Sequence, residues 1–480
     1  MQTKIISGLA WKLLERFGVQ GVQFVMQIIL ARLLDPEHYG ILSLMIIFTS
    51  LANIFIQNGF NTALIQNKDV TDEDYSSVFW VSLTISIGLY VVLFFTAPWI
   101  ADFYEMSEII APFRVLSLML IPGAFNSVQL AKISRQMDFK QVFRSNLVAI
   151  IISGVVGIVL ANLGAGLWAL VAQSLTNVIV ASIVMCFTVK WRPCFMCDFA
   201  RIKVLFSFGW KLLVSSLLET LYTDLSGLII GKKYSAADLG YYNRGMQFPQ
   251  FISNTLSSAI SGVMLPVMSM EQDDKSRVKA VLRNSISLSS YVIFPLMAGL
   301  AAAAAPLVRV LLTDKWLPCV PYMQVFCFSF AFYPIHICNL QAINAMGRSD
   351  IYLKLEIIKK VYSIIVLYIA VVCFQSPFAI AATGFITTWI GWIVNSYPNR
   401  KMLDYTYREQ ISDFLPSAIL ALVMGATVLQ IGRLGLHPLI VLIVQVVAGV
   451  IIYIVLSVVF KPNPFKLLVT QIKNMMGKDI

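Results

Sequence analysis

"WKLLERFGVQGVQFVMQIIL", Trp11 to Leu30, is apolar and long enough to cross a membrane, yet it carries Lys12, Glu15, Arg16, Gln20, Gln23 and Gln27. From Lys12 the polar positions Arg16, Gln20, Gln23 and Gln27 follow at steps of four, four, three and four, which trace one face of a helix. A charged side chain near the bilayer centre costs at least about 2.5–3.5 kcal/mol on insertion scales, so such a stripe has to face water or protein. Snorkelling is the simpler reading for Lys12 and Arg16: at about 1.5 Å per residue, Arg16 lies only some 10 Å from the inner end of the span. It does not account for three glutamines continuing along the same face.

The rest of the chain puts that stretch in a membrane. Of 480 residues, 58% are hydrophobic and 13% charged, with a mean hydropathy of +0.78, values outside the range of soluble domains. Charges cluster between fourteen apolar runs, near 9–33, 40–64, 76–101, 109–131, 142–163, 166–189, 204–231, 239–268, 284–308, 318–345, 352–373, 377–398, 411–431 and 437–460. Each is long enough to span a hydrocarbon core of about 30 Å as a helix. The first run lacks a small-residue cleavage site, so no cleavable signal peptide is expected.

Lys and Arg set the expected orientation, because positive loops are retained in the cytoplasm. With the N-terminus inside, 23 Lys and Arg fall on the cytoplasmic side, and six fall outside: Arg32, Lys232, Lys233, Arg309, Lys315 and Arg433. An even number of spans with both termini cytoplasmic follows. The net charge of +11 then reflects topology and anionic lipid headgroups. No basic-aromatic patch points to nucleic acid.

Enzyme signatures are missing from the sequence. The seven cysteines are scattered, and Cys194 and Cys197 alone form a CxxC, which without a second ligand pair makes no zinc site. His38, His336 and His437 are far apart in sequence, and there is no nucleophile elbow, P-loop or HExxH. No catalytic residue, metal or cofactor is expected.

The informative feature is an internal repeat. Trp11-Lys12-Leu13-Leu14 returns as Trp210-Lys211-Leu212-Leu213, and "ARLLDPEHYG", ending at Gly40, is matched by "GKKYSAADLG", ending at Gly240. Polar positions of the first spans coincide: Lys12 with Lys211, Arg16 with Ser215, Gln20 with Glu219, Gln23 with Tyr222, and Gln27 with Ser226. In the second spans Ser43 pairs with Asn243, Ser50 with Gln250, Asn53 with Ser253, Gln57 with Ser257, and Asn61 with Ser261. Each half holds an even number of spans, so the halves are expected to be parallel repeats about an axis along the membrane normal, with a hydrated site between them.

Cations at two depths suit a phosphate group that changes leaflet, since guanidinium and ammonium donors match its oxygens. Lys12, Arg16 and Lys211 lie in the inner half of their spans, and Arg114 and Arg244 about one turn in from the outside. Arg114 has a simpler role, snorkelling to outer headgroups, and Arg244 another, pairing within its own lobe. The expected polar lining is Gln20, Gln23, Gln27, Asn53, Gln57, Glu219, Gln247, Gln250 and Asn254, mostly amides able to hydrogen-bond hydroxyls. Glu15, Glu219 and Asp224 read as ion-pair partners rather than proton carriers. Glu356 with Lys359 and Lys360 reads as a local ion-pair cluster. The tail "FKLLVTQIKNMMGKDI" reads as an interfacial helix, with Phe465, Leu468, Val469, Ile472, Met475 and Met476 on one face.

"LARLLDPEHYG", "ALIQNKDVTDEDYSSVFW", "LGAGLWALVAQ", "DLSGLIIGKKYSAADLGYYNRGMQFPQ" and "INAMGRSD" resemble, over nearly the whole chain, the polysaccharide transport branch of the multidrug/oligosaccharidyl-lipid/polysaccharide flippase superfamily, the Wzx type. The resemblance implies an all-α fold with two six-helix lobes in a V around a central cavity, two additional C-terminal helices, and alternating access. On this sequence the lobes would be 1–200 and 201–405, the additional spans 406–460, and the tail 461–480. The implied substrate is an undecaprenyl-pyrophosphate-linked oligosaccharide, carried across the bacterial inner membrane for polysaccharide biosynthesis. Polysaccharide polymerase and glycosyltransferases are the candidate protein partners; proton or sodium coupling stays open. The family has no universal catalytic signature, so the site residues above rest on burial and repeat position. The rival readings are a peptidoglycan-precursor flippase or a drug/cation antiporter of the same fold, and a non-transporting scaffold for glycan assembly.

Overall fold

The computed structural model describes residues 18–57, 64–65, 70–189, 191–195 and 198–475. Lys12, Glu15, Arg16, Asn61 and Cys197 lie outside the described residues, as does the last turn of the expected tail helix. Within them the chain forms eighteen α-helices, with no strand. Twelve spans are long and apolar enough to cross a membrane, and this is a multi-pass membrane protein. Two further predicted spans correspond to Gln20–Leu33, described only from Gly18 onward, and Ser349–Cys373, whose first turns carry Asp350, Lys354, Glu356, Lys359 and Lys360.

Contacts divide the chain into two compact units, Met1–Gly240 and Tyr241–Ile480. The repeat describes sequence equivalence and the units describe packing, so their boundaries need not agree.

The first unit holds α1 (Gln20–Leu33), α2 (Pro36–Gln57), α3 (Asp72–Tyr104), α4 (Ile110–Ser117), α5 (Leu120–Gln136), α6 (Phe139–Asn162), α7 (Leu167–Thr188), α8 (Phe199–Lys233) and the first residues of α9 (Ala236–Met270). Here α6 lies along α7 and α1, α5 along α3, and α8 against α2 and α3. Helix α3 starts at a capping box in which Thr71 Oγ1 accepts from the Asp74 amide and Asp74 Oδ2 accepts from the Thr71 amide at 2.9 Å. Its buried serines also hold the 191–198 loop: the Cys194 amide donates to Ser76 Oγ at 3.1 Å and the Asp198 amide to Ser77 Oγ at 3.0 Å. Cys194 is thus placed by its backbone. A core of Tyr75, Val78, Phe79, Val128 and Trp191 sits beneath that loop.

The second unit holds the remainder of α9, then α10 (Lys275–Ala302), α11 (Ala304–Leu312), α12 (Cys319–Ala331), α13 (Tyr333–Ala345), α14 (Ser349–Cys373), α15 (Pro377–Met402), α16 (Tyr407–Ile431), α17 (Pro438–Phe460) and α18 (Asn463–Met475). Helix α10 packs along α16, which also contacts α17. At one end Arg283 makes a two-pronged pair with Asp413, both bonds 2.9 Å, and Lys279 meets Glu409 at 2.9 Å. Tyr405, in the α15–α16 turn, donates to Asp413 at 2.6 Å; burial, reinforced by that carboxylate, pushes its phenol pKa up. Tyr291 donates to Ser457 at 2.7 Å and Tyr453 to the Tyr291 carbonyl at 2.9 Å. The last two apolar spans are therefore fastened to α10. The expected Glu356–Lys359 pair forms at 2.6 Å.

Candidate functional site

The start of the second helix in each half is built the same way by different residues. In the first, Pro36 takes the opening position of α2 and the Asp35 amide donates to His38 Nδ1 at 3.4 Å. In the second, Ser235 and Asp238 cap each other, the Asp238 amide donating to Ser235 Oγ at 3.1 Å and the Ser235 amide to Asp238 Oδ2 at 3.2 Å. One turn on, the matched glycines meet reciprocally. A Cβ added to Gly40 would lie 1.7 Å from the Ala236 carbonyl oxygen, and one added to Gly240 would lie 2.1 Å from that of Pro36. Glycine is required at both positions because backbone touches backbone. The sequence showed the two glycines as motif ends; their mutual contact needed coordinates.

Among the expected lining residues, Gln20, Gln23, Glu219 and Asn254 are exposed, and Gln27, Asn53, Gln57, Gln247 and Gln250 are half-buried. Lys211 is exposed and makes no ion pair among the described residues. Arg114 is half-buried, its guanidinium carbon 4.2 Å from the Phe94 ring centre and its Nε donating to the Phe94 carbonyl at 3.1 Å. Arg244 is only 6% exposed. Its guanidinium lies 5.0 Å from the Trp316 ring centre and donates to Gln247 Oε1 at 2.6 Å. The structure thus brings Arg244 together with Gln247, and Asn53 together with Gln57.

That second pair lines a cavity of about 230 Å³ within the first unit, between α2, α5 and α7. Asn126 joins them, a residue that sequence reasoning missed. The signal available was the i, i+3 pair Asn126 and Gln129 in an otherwise apolar run, but it falls outside the duplicated stripes. Gln129 is fully buried.

The second unit gathers its own buried amides. Gln410 Oε1 accepts from Ser396 Oγ at 2.8 Å and from Trp392 Nε1 at 3.2 Å. Gln410 Nε2 donates to Asn339 Oδ1 at 3.3 Å, and Asn399 Nδ2 donates to the same oxygen at 2.9 Å. Asn395 reaches His336 Nδ1 at 3.3 Å.

Membrane-crossing helices without a described strand, in two compact units, define an all-helical membrane fold, and comparison with solved structures agrees. The lipid II flippase MurJ in its inward closed conformation matches with a TM-score of 0.75 over 95% of this chain and 98% of that one, at 15% identity. The chain belongs to the polysaccharide biosynthesis protein family, which it matches over residues 29–321. Among curated relatives, the teichuronic acid biosynthesis protein TuaB of Bacillus subtilis is 24% identical over 96% of both chains. The lipopolysaccharide biosynthesis protein WzxC of Escherichia coli is 22% identical over 88% of both.

Proposed function

We propose that this protein is a flippase that moves an undecaprenyl-diphosphate-linked oligosaccharide from the cytoplasmic to the outer face of a bacterial inner membrane, by alternating access and with no catalysed bond change. The observation that carries the reading is membership of a polysaccharide biosynthesis family by a chain made almost wholly of membrane-crossing helices. Polysaccharide assembled from membrane-bound precursors needs such a step. Both termini are cytoplasmic in this reading, and polymerase and glycosyltransferases are its candidate partners.

Lys12, Arg16 and Lys211 receive the diphosphate near the inner leaflet. Arg244, with Arg114 as the weaker candidate, offers a later contact. Reaching it exchanges the Gln247 oxygen for phosphate oxygens while Trp316 keeps the guanidinium in place. Gln20, Gln23, Gln27, Asn53, Gln57, Glu219, Gln247, Gln250 and Asn254 line the sugar path, and the Gly40–Gly240 contact separates as the outer end opens. The predominance of cations over carboxylates among these residues favours a polyanionic headgroup over a cationic drug.

Glycan export in a deletion strain complemented with variants tests the assignment. Arg16→Ala and Arg244→Ala should each lower export by more than about tenfold at normal membrane abundance, and Arg→Lys should retain part of it, because charge remains while the two-pronged fork is lost. Wild-type export by both alanine variants would refute the cationic relay.

A further inference from the structure

Where α3 and α8 meet α2, the first unit carries an open groove of about 640 Å³. Gly227 and Gly231, one turn apart on α8, set its shape. A Cβ at Gly227 would lie 3.2 Å from Ile47 Cδ1 and one at Gly231 3.2 Å from Leu44 Cδ1, so the two glycines let α8 lie close to α2. Tyr104, only 6% exposed, packs edge-on against Phe48 with ring centres 6.2 Å apart, and both rings line the groove. Thr96, Trp99, Ile100 and Phe103 continue the lining along α3 at helical spacing. Trp99 and Phe103 are 72% and 57% exposed, an aromatic surface that lipid covers in a membrane.

The charges gather at one end of this apolar trough. Lys232 and Lys233, the last residues of α8, complete its lining. Lys232 Nζ donates to Glu105 Oε1 at 2.8 Å and lies 5.1 Å from the Phe103 ring centre. The Glu105 side chain is 82% exposed, which leaves its carboxylate open to a second cation. Asp102, also exposed, stands one turn earlier on α3. Two lysines and two carboxylates balance, so this rim does not select a headgroup of net negative charge. It matches one that carries both signs, with phosphate oxygens at the lysines and an ammonium at Glu105. The groove holds roughly twenty waters' share of liquid volume at about 30 Å³ each, more than a headgroup alone needs, and its apolar length takes an acyl chain. Lysines are scarce on the outer side in the orientation proposed above, yet two of the six outer cations stand here side by side.

We propose that this groove binds one phosphatidylethanolamine molecule, its phosphate at Lys232 and Lys233, its ammonium at Glu105 and one acyl chain along Trp99 and Phe103. In that orientation the lipid belongs to the outer leaflet. The site shares no residue with the proposed glycan path, so it stands or falls apart from the flippase reading.

Native mass spectrometry of the full-length protein tests it, with equimolar phosphatidylethanolamine, phosphatidylcholine and phosphatidylglycerol of identical chains as the probes. Phosphatidylcholine keeps both charges but its ammonium has no N–H to donate, and phosphatidylglycerol has no ammonium. Wild type should retain phosphatidylethanolamine about fivefold over either, the scale of one exposed charge pair. Glu105→Gln should bring the three lipids level, and Lys232→Gln with Lys233→Gln should lower retention of all three. Trp99→Ala should also lower all three while keeping their order. The three charged side chains are exposed, so these variants keep the fold. Equal retention by wild type, a preference for phosphatidylglycerol, an unchanged preference in Glu105→Gln, or retention that neither the double lysine variant nor Trp99→Ala lowers would overturn the site.

Discussion

Asn53 and Asn126 in the first unit, and Asn339, Asn399 and Gln410 in the second, are amides set among apolar helices, and they differ in what holds them. In the second unit the side chains largely satisfy one another: Gln410 and Asn339 bind each other, Asn399 binds Asn339, and Trp392 and Ser396 donate to Gln410. The oxygens of Asn395 and Asn399 are the remainder. In the first unit the oxygens of Asn53 and Asn126 are buried with no such partner among the described residues. A polar residue in a membrane span is therefore a weak sign of a binding site until its hydrogen bonds are traced. A closed network fixes how helices pack, whereas an open one leaves buried acceptors unsatisfied.

The sharpest break of this contrast lies at Gly40 and Gly240, where there is neither network nor cavity. Gly40→Ala and Gly240→Ala should each abolish glycan export and cost at least about 3 kcal/mol, the upper end of overpacking penalties, because the obstacle is backbone. Gly123→Ala, whose added Cβ would meet only Asn53 Oδ1, at 3.8 Å, should leave the melting temperature near wild type. Equal, small effects on stability at all three glycines would mean that the reciprocal contact does not form.

A smaller effect separates the two amide groups. Gln410→Leu orphans Trp392 Nε1 and Ser396 Oγ in a buried site and should destabilise the protein by about 2–3 kcal/mol in thermal unfolding. Asn126→Leu gives up one long hydrogen bond and should stay within about 1 kcal/mol. The reverse order would mean that the Gln410 network does not hold the second unit's helices together.

The sequence made the all-helical membrane fold legible because hydropathy acts over whole spans, and the repeat located equivalent helices before any contact was known. Its limits were local. The run 352–373 was read as a span; the helix that holds it, Ser349–Cys373, carries charges in its first turns and is not among the twelve that length and composition alone qualify. Arg114 and Arg244 were identified as buried cations, but their aromatic partners Phe94 and Trp316 come from other helical segments, and nothing in the spacing ties them together. Asn126 and Gln129 were missed because their role depends on which neighbours leave them unpaired. Gln410 and Asn339 were missed for the opposite reason, since their bonds join residues 71 apart.

The most direct measurement of the central claim uses purified protein in liposomes that carry undecaprenyl diphosphate linked to a labelled neutral oligosaccharide, with label in the outer leaflet followed over time. The account predicts protein-dependent transfer of the glycan between leaflets, slowed more than about tenfold by Arg16→Ala and by Arg244→Ala. Transfer at the protein-free rate, with correctly folded wild type in the membrane, would contradict it.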